Sequence, residues 1–335
     1  MFQVQKALHG GAIKILENLG IVDTISFGTE TEDFAALNNI AGVLAEEPKE
    51  FVNMLKEELK KGLSYPKARE MALITYLNDD VRYKNILNNP NNILGVEYLK
   101  ALKQAKSKIV PVPIKREKVY YNDNCIVDDF ASATAIRGML MNKEFEDLRK
   151  VVPLYCYEML SKEYEVGNMV FDLHRFEKEI FYTLRKMKLS EIAELPDVNE
   201  GLENTIKSAS NFCNNINDFI NMVKTKRYTQ TRIQRILIFA LLGITKKDVQ
   251  QAKKVIPYAR VLGFNEKGKM LLSGISQKNP KMEVITSVKK FMDSNSNKTY
   301  KRMLEIDIFA TDVYTLGYKY DSMANLDYTK NMIMM

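Results

Sequence analysis

The sequence contains few of the residues that build disulfide frameworks or zinc sites. It has three cysteines, Cys125, Cys156 and Cys213, and two histidines, His9 and His174, all widely separated. An odd number of scattered cysteines is typical of a reducing compartment rather than of a disulfide-linked secreted domain. The two histidines cannot supply the closely spaced ligands of a zinc signature. We therefore expect a cytoplasmic protein with neither a disulfide framework nor a protein-bound metal centre.

Long apolar runs are also lacking. The longest candidate, residues 236–244, is far shorter than the ~20 residues that span a bilayer, and the sequence shows no signal-peptide pattern. A length of 335 residues with 46% hydrophobic residues suits a globular chain of two domains. The formal net charge of +7 favours an anionic partner. We expect neither a membrane nor DNA among the partners.

The segment from Ser132 to Arg137 has the features of an anion-binding helix start. Ser132 or Thr134 can cap the helix, because a hydroxyl accepts from an unpaired backbone N–H. Small residues before Arg137 leave the first-turn amides open, and the helix dipole favours negative charge there. Arg137 lies one turn further and can add bidentate contacts to phosphate. The alternative is a plain capped helix with a surface arginine.

Two predicted strands in the first half place candidate residues at one edge of a sheet. Residues 22–27 form a short apolar run that turns away at Gly28, and the strand 108–112 is followed by Arg116. In open parallel sheets, ligands bind outside the carboxyl ends of the strands. A strand-to-loop turn at Gly28 and a solvated charge at Arg116 are the alternatives. With helices between the strands, the pattern predicts a Rossmann-like unit, incomplete because only two convincing strands precede Ser132.

Asn91 begins the helix predicted over 93–105, after the loop 88–92. Its amide can both donate and accept, so it can bind an adenine edge. It can equally cap the helix, and the residues alone favour the cap.

Helical patterns dominate after Pro153. The sequence predicts helices over 154–162, 169–187, 200–222, 230–242 and 300–318, and short strands near 258–264 and 282–286. The predicted fold class is therefore α/β plus all-α, with a nucleotide-binding domain over 1–150 and a mainly helical domain over 151–335. His174 falls in one of the helices and is expected to be structural, since no nucleophile can be paired with it.

The segment 221–247 carries seven basic residues and no acidic one. Arg232 and Arg235 share a helix face, and Tyr228 beside them is a candidate for stacking on a base. The candidate RNA-binding residues are Lys224, Lys226, Arg227, Tyr228, Arg232 and Arg235. The alternative is a solvated cationic helix in a basic protein.

Four strings, in order along the chain, carry a resemblance to a known family. They are residues 26–30 (Ser-Phe-Gly-Thr-Glu), 89–100 (Asn-Pro-Asn-Asn-Ile-Leu-Gly-Val-Glu-Tyr-Leu-Lys), 132–137 and 224–235. Together they resemble the bacterial tRNA(Met) cytidine acetate ligases, which belong to the nucleotidyltransferase superfamily with a His-x-Gly-His signature. The resemblance spans nearly the whole chain, and the asparagine-rich string is its most specific part.

The resemblance implies an activity and a set of site residues. Proteins of this family activate acetate with ATP to acetyladenylate and pass the acetyl group to the wobble cytidine of elongator tRNA(Met), which gives N4-acetylcytidine. Mg²⁺ usually assists in the superfamily. The resemblance assigns ATP binding to Asn91 and so reverses the preference for a cap there. The ATP-binding residues that we expect are Gly28, Asn91, Arg116, Glu117, Ser132, Thr134 and Arg137.

One departure from the family pattern concerns the His-x-Gly-His segment, which this sequence does not contain. His9-Gly10-Gly11 is no substitute, because it lies mid-helix and lacks the second histidine. The sequence therefore names no catalytic residue. We expect that this polypeptide alone is a fragment with little or no ligase activity, and that its sheet exposes apolar faces and an unpaired edge. The alternatives are a non-catalytic helical tRNA-binding protein and another adenylyltransferase of the superfamily.

Overall fold

The structure, a computed structural model, describes residues 2–78, 81–116, 130–199, 201–225 and 228–335, with side chains for all of these except 2–9 and 81. The elements of the first 151 residues are mostly helices. They are α1 (Phe2–Leu19), β1 (Thr24–Thr29), α2 (Phe34–Glu46), α3 (Lys49–Lys60), α4 (Tyr65–Tyr76), α5 (Val81–Leu87), α6 (Pro90–Ala105), β2 (Val110–Lys115), α7 (Ala133–Asn142) and α8 (Phe145–Val151).

The remaining elements are helices and four two-residue strands. They are α9 (Leu154–Glu165), a 3₁₀ turn (Leu173–Phe176), α10 (Glu177–Lys186), α11 (Leu189–Ala193), α12 (Leu202–Phe212), α13 (Ile216–Val223), α14 (Gln230–Leu241), α15 (Lys246–Ala252), β3 (Ala259–Arg260), β4 (Gly263–Phe264), α16 (Glu266–Lys278), β5 (Val284–Ile285), α17 (Val288–Ser294), α18 (Lys298–Leu316), α19 (Leu326–Thr329) and β6 (Ile333–Met334). The four strands form two short parallel pairs, β3 with β5 and β4 with β6.

The chain forms two compact units, one of residues 1–135 with 265–283 and one of 136–264 with 284–335. The first unit therefore includes α16, which the sequence pattern did not assign to it. The proposed functional domains, 1–150 and 151–335, stay a prediction. The α/β plus all-α class is confirmed, since one unit holds a parallel strand pair and the other is mainly helical.

The first unit is built around β1 and β2, which run parallel with Gly28 opposite Ile114. The predicted strands lie about two residues too early, so Gly28 is inside β1 and does not follow it. Helix α6 packs on β1 at Gly95, where an added Cβ would lie 3.0 Å from the Phe27 ring. Buried residues of α2, α3, α4 and α6 complete this core, among them Leu37, Ile40, Leu44, Phe51, Leu73 and Leu99.

Strand β2 exposes apolar side chains on alternate positions, as the sequence analysis expected. Val110, Val112 and Ile114 are all exposed. Within the described residues the sheet of β1 and β2 has two strands.

The second unit buries apolar faces of α10, α12, α13 and α14 against one another. Its core includes Ile180, Leu184, Ile206, Phe219, Ile236 and Leu237. The helix predicted over 200–222 is interrupted at Cys213, because Asn215 caps a new helix by accepting from the Asp218 N–H at 2.8 Å. The predicted strands near 258–264 and 282–286 are present as β3, β4 and β5.

No helix in the described part of the chain combines the length and apolar character that crossing a membrane requires. Cys156 and Cys213 are free thiols, and Cys125 lies outside the described residues. Burial raises the pKa of the Cys213 thiol, with a smaller contribution from Asp218.

Candidate functional site

The carboxyl ends of β1 and β2 bring two of the predicted site residues into contact. The Arg116 N–H donates to the Thr29 carbonyl at 2.7 Å, which extends the strand pairing by one bond. The exposed Gly28 lies beside the Arg116 side chain, and a Cβ at Gly28 would be 3.4 Å from Arg116 Cγ. A longer side chain at position 28 would therefore displace the arginine. The glycine leaves its backbone open to a ligand, beside the cationic side chain of Arg116.

Asn91 is held by the loop that follows β1. Its Nδ2 donates to Glu30 Oε1 at 2.8 Å, although the two residues are 61 positions apart. The cap alternative for Asn91 is wrong, because Asn89 occupies the N-cap position of α6 and Pro90 its first turn. The side chain of Asn91 is thus oriented by a tertiary contact with Glu30, which follows Gly28 by two residues, and not by its own helix.

Asn92 binds the backbone of the same residue, Glu30. Its Oδ1 accepts from the Glu30 backbone N–H at 2.7 Å, and its side chain is almost wholly buried. Two atoms of the cluster, Glu30 Oε2 and Asn92 Nδ2, are buried without a hydrogen-bond partner. Glu30 and Asn92 were not among the predicted site residues. They lie next to Gly28 and Asn91 in the two strings that carried the resemblance, and that adjacency was the signal available.

The helix start at Ser132 has the local structure that was predicted. Ser132 is buried, and its Oγ accepts from the Ala135 N–H at 3.0 Å, so it caps α7. Thr134 and Arg137 are exposed. Ser132 and Thr134 belong to the first unit and Arg137 to the second. Glu117 lies outside the described residues. A role for these residues in phosphate binding stays a prediction.

The two arginines of the basic segment hold a loop of their own unit. Arg232 donates to the Asp197 carbonyl from Nε and Nη2, at 3.2 and 2.6 Å. Arg235 donates from Nε and Nη2 to one carboxylate oxygen, Asp197 Oδ2, at 3.1 and 2.7 Å. Both side chains remain partly exposed. These contacts give the arginines a structural role that the sequence analysis did not predict.

Base stacking on Tyr228 is not compatible with its position. The side chain is only 8% exposed, its hydroxyl donates to the Asn199 carbonyl at 2.8 Å, and the Arg232 guanidinium lies 4.5 Å from the ring centroid. The prediction failed because an aromatic residue between polar neighbours gives no sign of whether tertiary packing covers it. Lys224 is exposed, while Lys226 and Arg227 lie outside the described residues.

His174 has the structural surroundings that were expected. It lies in the 3₁₀ turn, where Nε2 is 3.1 Å from Asn217 Oδ1 and Nδ1 is 3.4 Å from Asp172 Oδ1. Across the described residues, no three histidine, cysteine, aspartate or glutamate side chains group together as a metal site would require.

Comparison with known proteins identifies the class to which the chain and its fold belong. The HIGH Nucleotidyl Transferase family model matches residues 2–329. The chain is similar to a crystal structure of Thermotoga maritima TmcAL in its apo form, with 28% identity and a TM-score of 0.90 over 99% of this chain and 81% of that one. A second TmcAL structure, bound with alpha-thio ATP, gives 28% identity and a TM-score of 0.88 with the same coverage. The chain thus has a nucleotidyltransferase fold and belongs to that superfamily.

A curated relative defines the family more narrowly. The tRNA(Met) cytidine acetate ligase of a Thermoanaerobacter species is 43% identical over 324 residues, which cover 96% of this chain and 79% of that protein. The chain belongs to the tRNA(Met) cytidine acetate ligase family.

Proposed function

We propose that the protein is a cytoplasmic, ATP-dependent ligase that attaches acetate to the wobble cytidine of elongator tRNA(Met) to form N4-acetylcytidine. The observation that supports this most is the arrangement at the ends of β1 and β2. Arg116 lies against Gly28. Asn91 donates a hydrogen bond to Glu30, which follows Gly28 by two residues. An exposed glycine backbone, a buried amide and a cation together suit the two ends of a nucleoside triphosphate.

The proposed reaction activates a poor electrophile. A carboxylate oxygen of acetate attacks the α-phosphorus of ATP, the bond to pyrophosphate breaks, and acetyladenylate forms. The cytidine amine then attacks the acyl carbon, loses a proton and releases AMP. Positioning and neutralisation of phosphate charge supply most of the rate in such reactions. We assign nucleoside binding to Asn91 and phosphate charge to Arg116, with the first-turn amides of α7 behind Ser132 as further anion donors.

The ATP phosphates suit Mg²⁺ as a companion ion. Mg²⁺ prefers oxygen ligands and is commonly held by substrate phosphates with one or two carboxylates, so it needs no dedicated protein cage. We propose that the ion enters with ATP.

We propose that tRNA binds the basic segment of the second unit. Lys224 is exposed there and, with Lys226 and Arg227, is our candidate for phosphate contacts. Arg232 and Arg235 add positive potential while they hold Asp197.

Mass spectrometry of elongator tRNA(Met) from a deletion strain tests this function. We expect N4-acetylcytidine to disappear on deletion and to return when the gene is restored. Restoration with Asn91→Ala should fail, whereas Asn204→Ala, which changes an exposed asparagine of α12, should succeed. Unchanged N4-acetylcytidine in the deletion strain would remove the acetate-ligase assignment.

A further inference from the structure

The contact between Asn91 and Glu30 fixes which end of the asparagine amide a ligand can meet. Asn91 Nδ2 donates to Glu30 Oε1 at 2.8 Å, so the nitrogen is the amide atom that faces Glu30. The Oδ1 atom is left for other partners, and an amide oxygen can only accept.

Glu30 is itself held in place by its neighbours. Its backbone N–H donates to Asn92 Oδ1 at 2.7 Å, from the first turn of α6. Thr29, just before it, is buried and donates from its hydroxyl to the Thr31 carbonyl at 2.9 Å. These two bonds hold the backbone around Glu30 without any contribution from Asn91.

The same cluster keeps two buried polar atoms unpaired, Glu30 Oε2 and Asn92 Nδ2. Leaving a buried polar atom without a partner costs about 1–3 kcal/mol, and native proteins pair the great majority of such atoms. An apolar residue at either position would avoid this cost. The cluster therefore has a composition that stability alone does not explain.

We propose that Glu30 is a positioning residue that fixes the Asn91 amide so that its Oδ1 accepts a hydrogen bond from a donor on the nucleoside half of ATP. This inference rests on the proposed ATP site and deepens it. Two groups of ATP supply such a donor, the 6-amino group of adenine and a ribose hydroxyl. If the donor is the amine, Asn91 selects against ITP and GTP. These nucleotides carry a carbonyl oxygen at the same position of the purine, so two acceptors, this oxygen and Asn91 Oδ1, would face each other.

Calorimetric titration of the full chain with ATP tests the role of Glu30. In Glu30→Gln the side chain keeps its size but can present either an oxygen or an N–H₂ group to Asn91, so the amide is free to turn. We expect ATP to bind about tenfold more weakly, which corresponds to about 1.4 kcal/mol. Asn91→Ala should bind at least as weakly, and the double variant should bind no more weakly than Asn91→Ala, since both changes remove the same contact.

Glu32→Gln is the matched control. It removes the same charge two residues away, from an exposed carboxylate that pairs with Lys115 at 2.7 Å. That hydrogen bond and charge lower the pKa of Glu32, so the group is ionised at neutral pH. ATP affinity should stay unchanged in Glu32→Gln.

Nucleotide analogues identify the donor. ITP lacks the 6-amino group, and 2′-deoxy-ATP and 3′-deoxy-ATP each lack one of the two ribose hydroxyls. The analogue that lacks the donor should bind the wild type and Glu30→Gln equally, and this equality also shows that the variant retains a folded site.

In addition to two simpler results, three patterns among the variants and analogues would overturn the inference. They are an equal loss in Glu30→Gln and Glu32→Gln, additive losses in the double variant, and an effect of Glu30→Gln that is the same for ATP and every analogue. Failure of the wild type to bind ATP would refute the proposed function and this inference with it. Binding of ATP with no response to Glu30→Gln would refute the inference alone.

Discussion

Gly95 sets the distance between helix α6 and strand β1. A Cβ at this position would lie 3.0 Å from Phe27 Cε2 and 3.4 Å from Thr29 Cγ2. The Phe27 ring cannot retreat freely, because it is buried and packs on the Tyr98 ring at 5.6 Å. Since α6 carries Asn91 and β1 carries Gly28, a glycine at position 95 also keeps the two sides of the candidate site together.

Gly95→Val should therefore lower the free energy of unfolding by about 1–3 kcal/mol, the usual cost of overpacking. The control is Gly42→Val in α2, where an added Cβ meets no atom within 4 Å. Urea denaturation of both variants measures the difference. Equal stability of the two variants would show that the approach of α6 to β1 does not depend on a missing side chain.

At the scale of elements, the start of α15 is joined to α18 through one carboxylate. Asp248 Oδ2 accepts from the Thr245 N–H at 2.8 Å, and the Thr245 hydroxyl accepts from the Asp248 N–H at 3.2 Å, which forms a capping box. Arg302 of α18 donates to Asp248 Oδ1 at 2.9 Å. Burial alone raises the pKa of Asp248, but the hydrogen bonds from Arg302 and Thr245 outweigh it and lower the pKa to about 2.

This depressed pKa predicts a pH dependence of stability with a definite sign. The unfolded chain binds the proton more readily than the folded chain, so the stabilisation is present above about pH 4 and is lost as the pH falls towards 2. Asp248→Asn should lack this component, because it cannot ionise. Urea denaturation of both proteins at pH 6 and pH 3 measures it. The wild type should lose more stability than the variant between these values, and equal losses would contradict the assignment.

The elements were largely predictable because their signals are local. Apolar periodicity located the helices of the second unit, and the parallel strands put Gly28 and Arg116 at one edge, where the structure has them in contact. The bond from Asn91 to Glu30 was not predictable, since it joins residues 61 positions apart and leaves no periodic signal. The prediction that Tyr228 stacks on a base was wrong for a related reason. The burial of Tyr228 depends on Asn199 and Arg232 and not on its neighbours in sequence.

At the scale of the whole molecule, the excess of 49 basic over 42 acidic residues is not simply free surface charge. Arg232 and Arg235 donate to Asp197, and Arg302 donates to Asp248. Part of the positive charge is therefore engaged in hydrogen bonds within the second unit. In the first unit, Arg69 pairs with the buried Glu97 at 3.1 Å. Exposed cations such as Lys224 are therefore better candidates for tRNA contacts than the arginines of α14.

Titration of ATP into the wild type and Arg116→Ala is the most direct test of the strand-end site. Arg116 lies against Gly28, so its loss should weaken ATP binding about tenfold or more, as expected when a charged partner of phosphate is removed. Lys56→Ala, which removes an exposed cation from α3 of the same unit, should leave the affinity unchanged. Equal ATP affinities for Arg116→Ala, Lys56→Ala and the wild type would contradict the assignment of the nucleotide to the ends of β1 and β2.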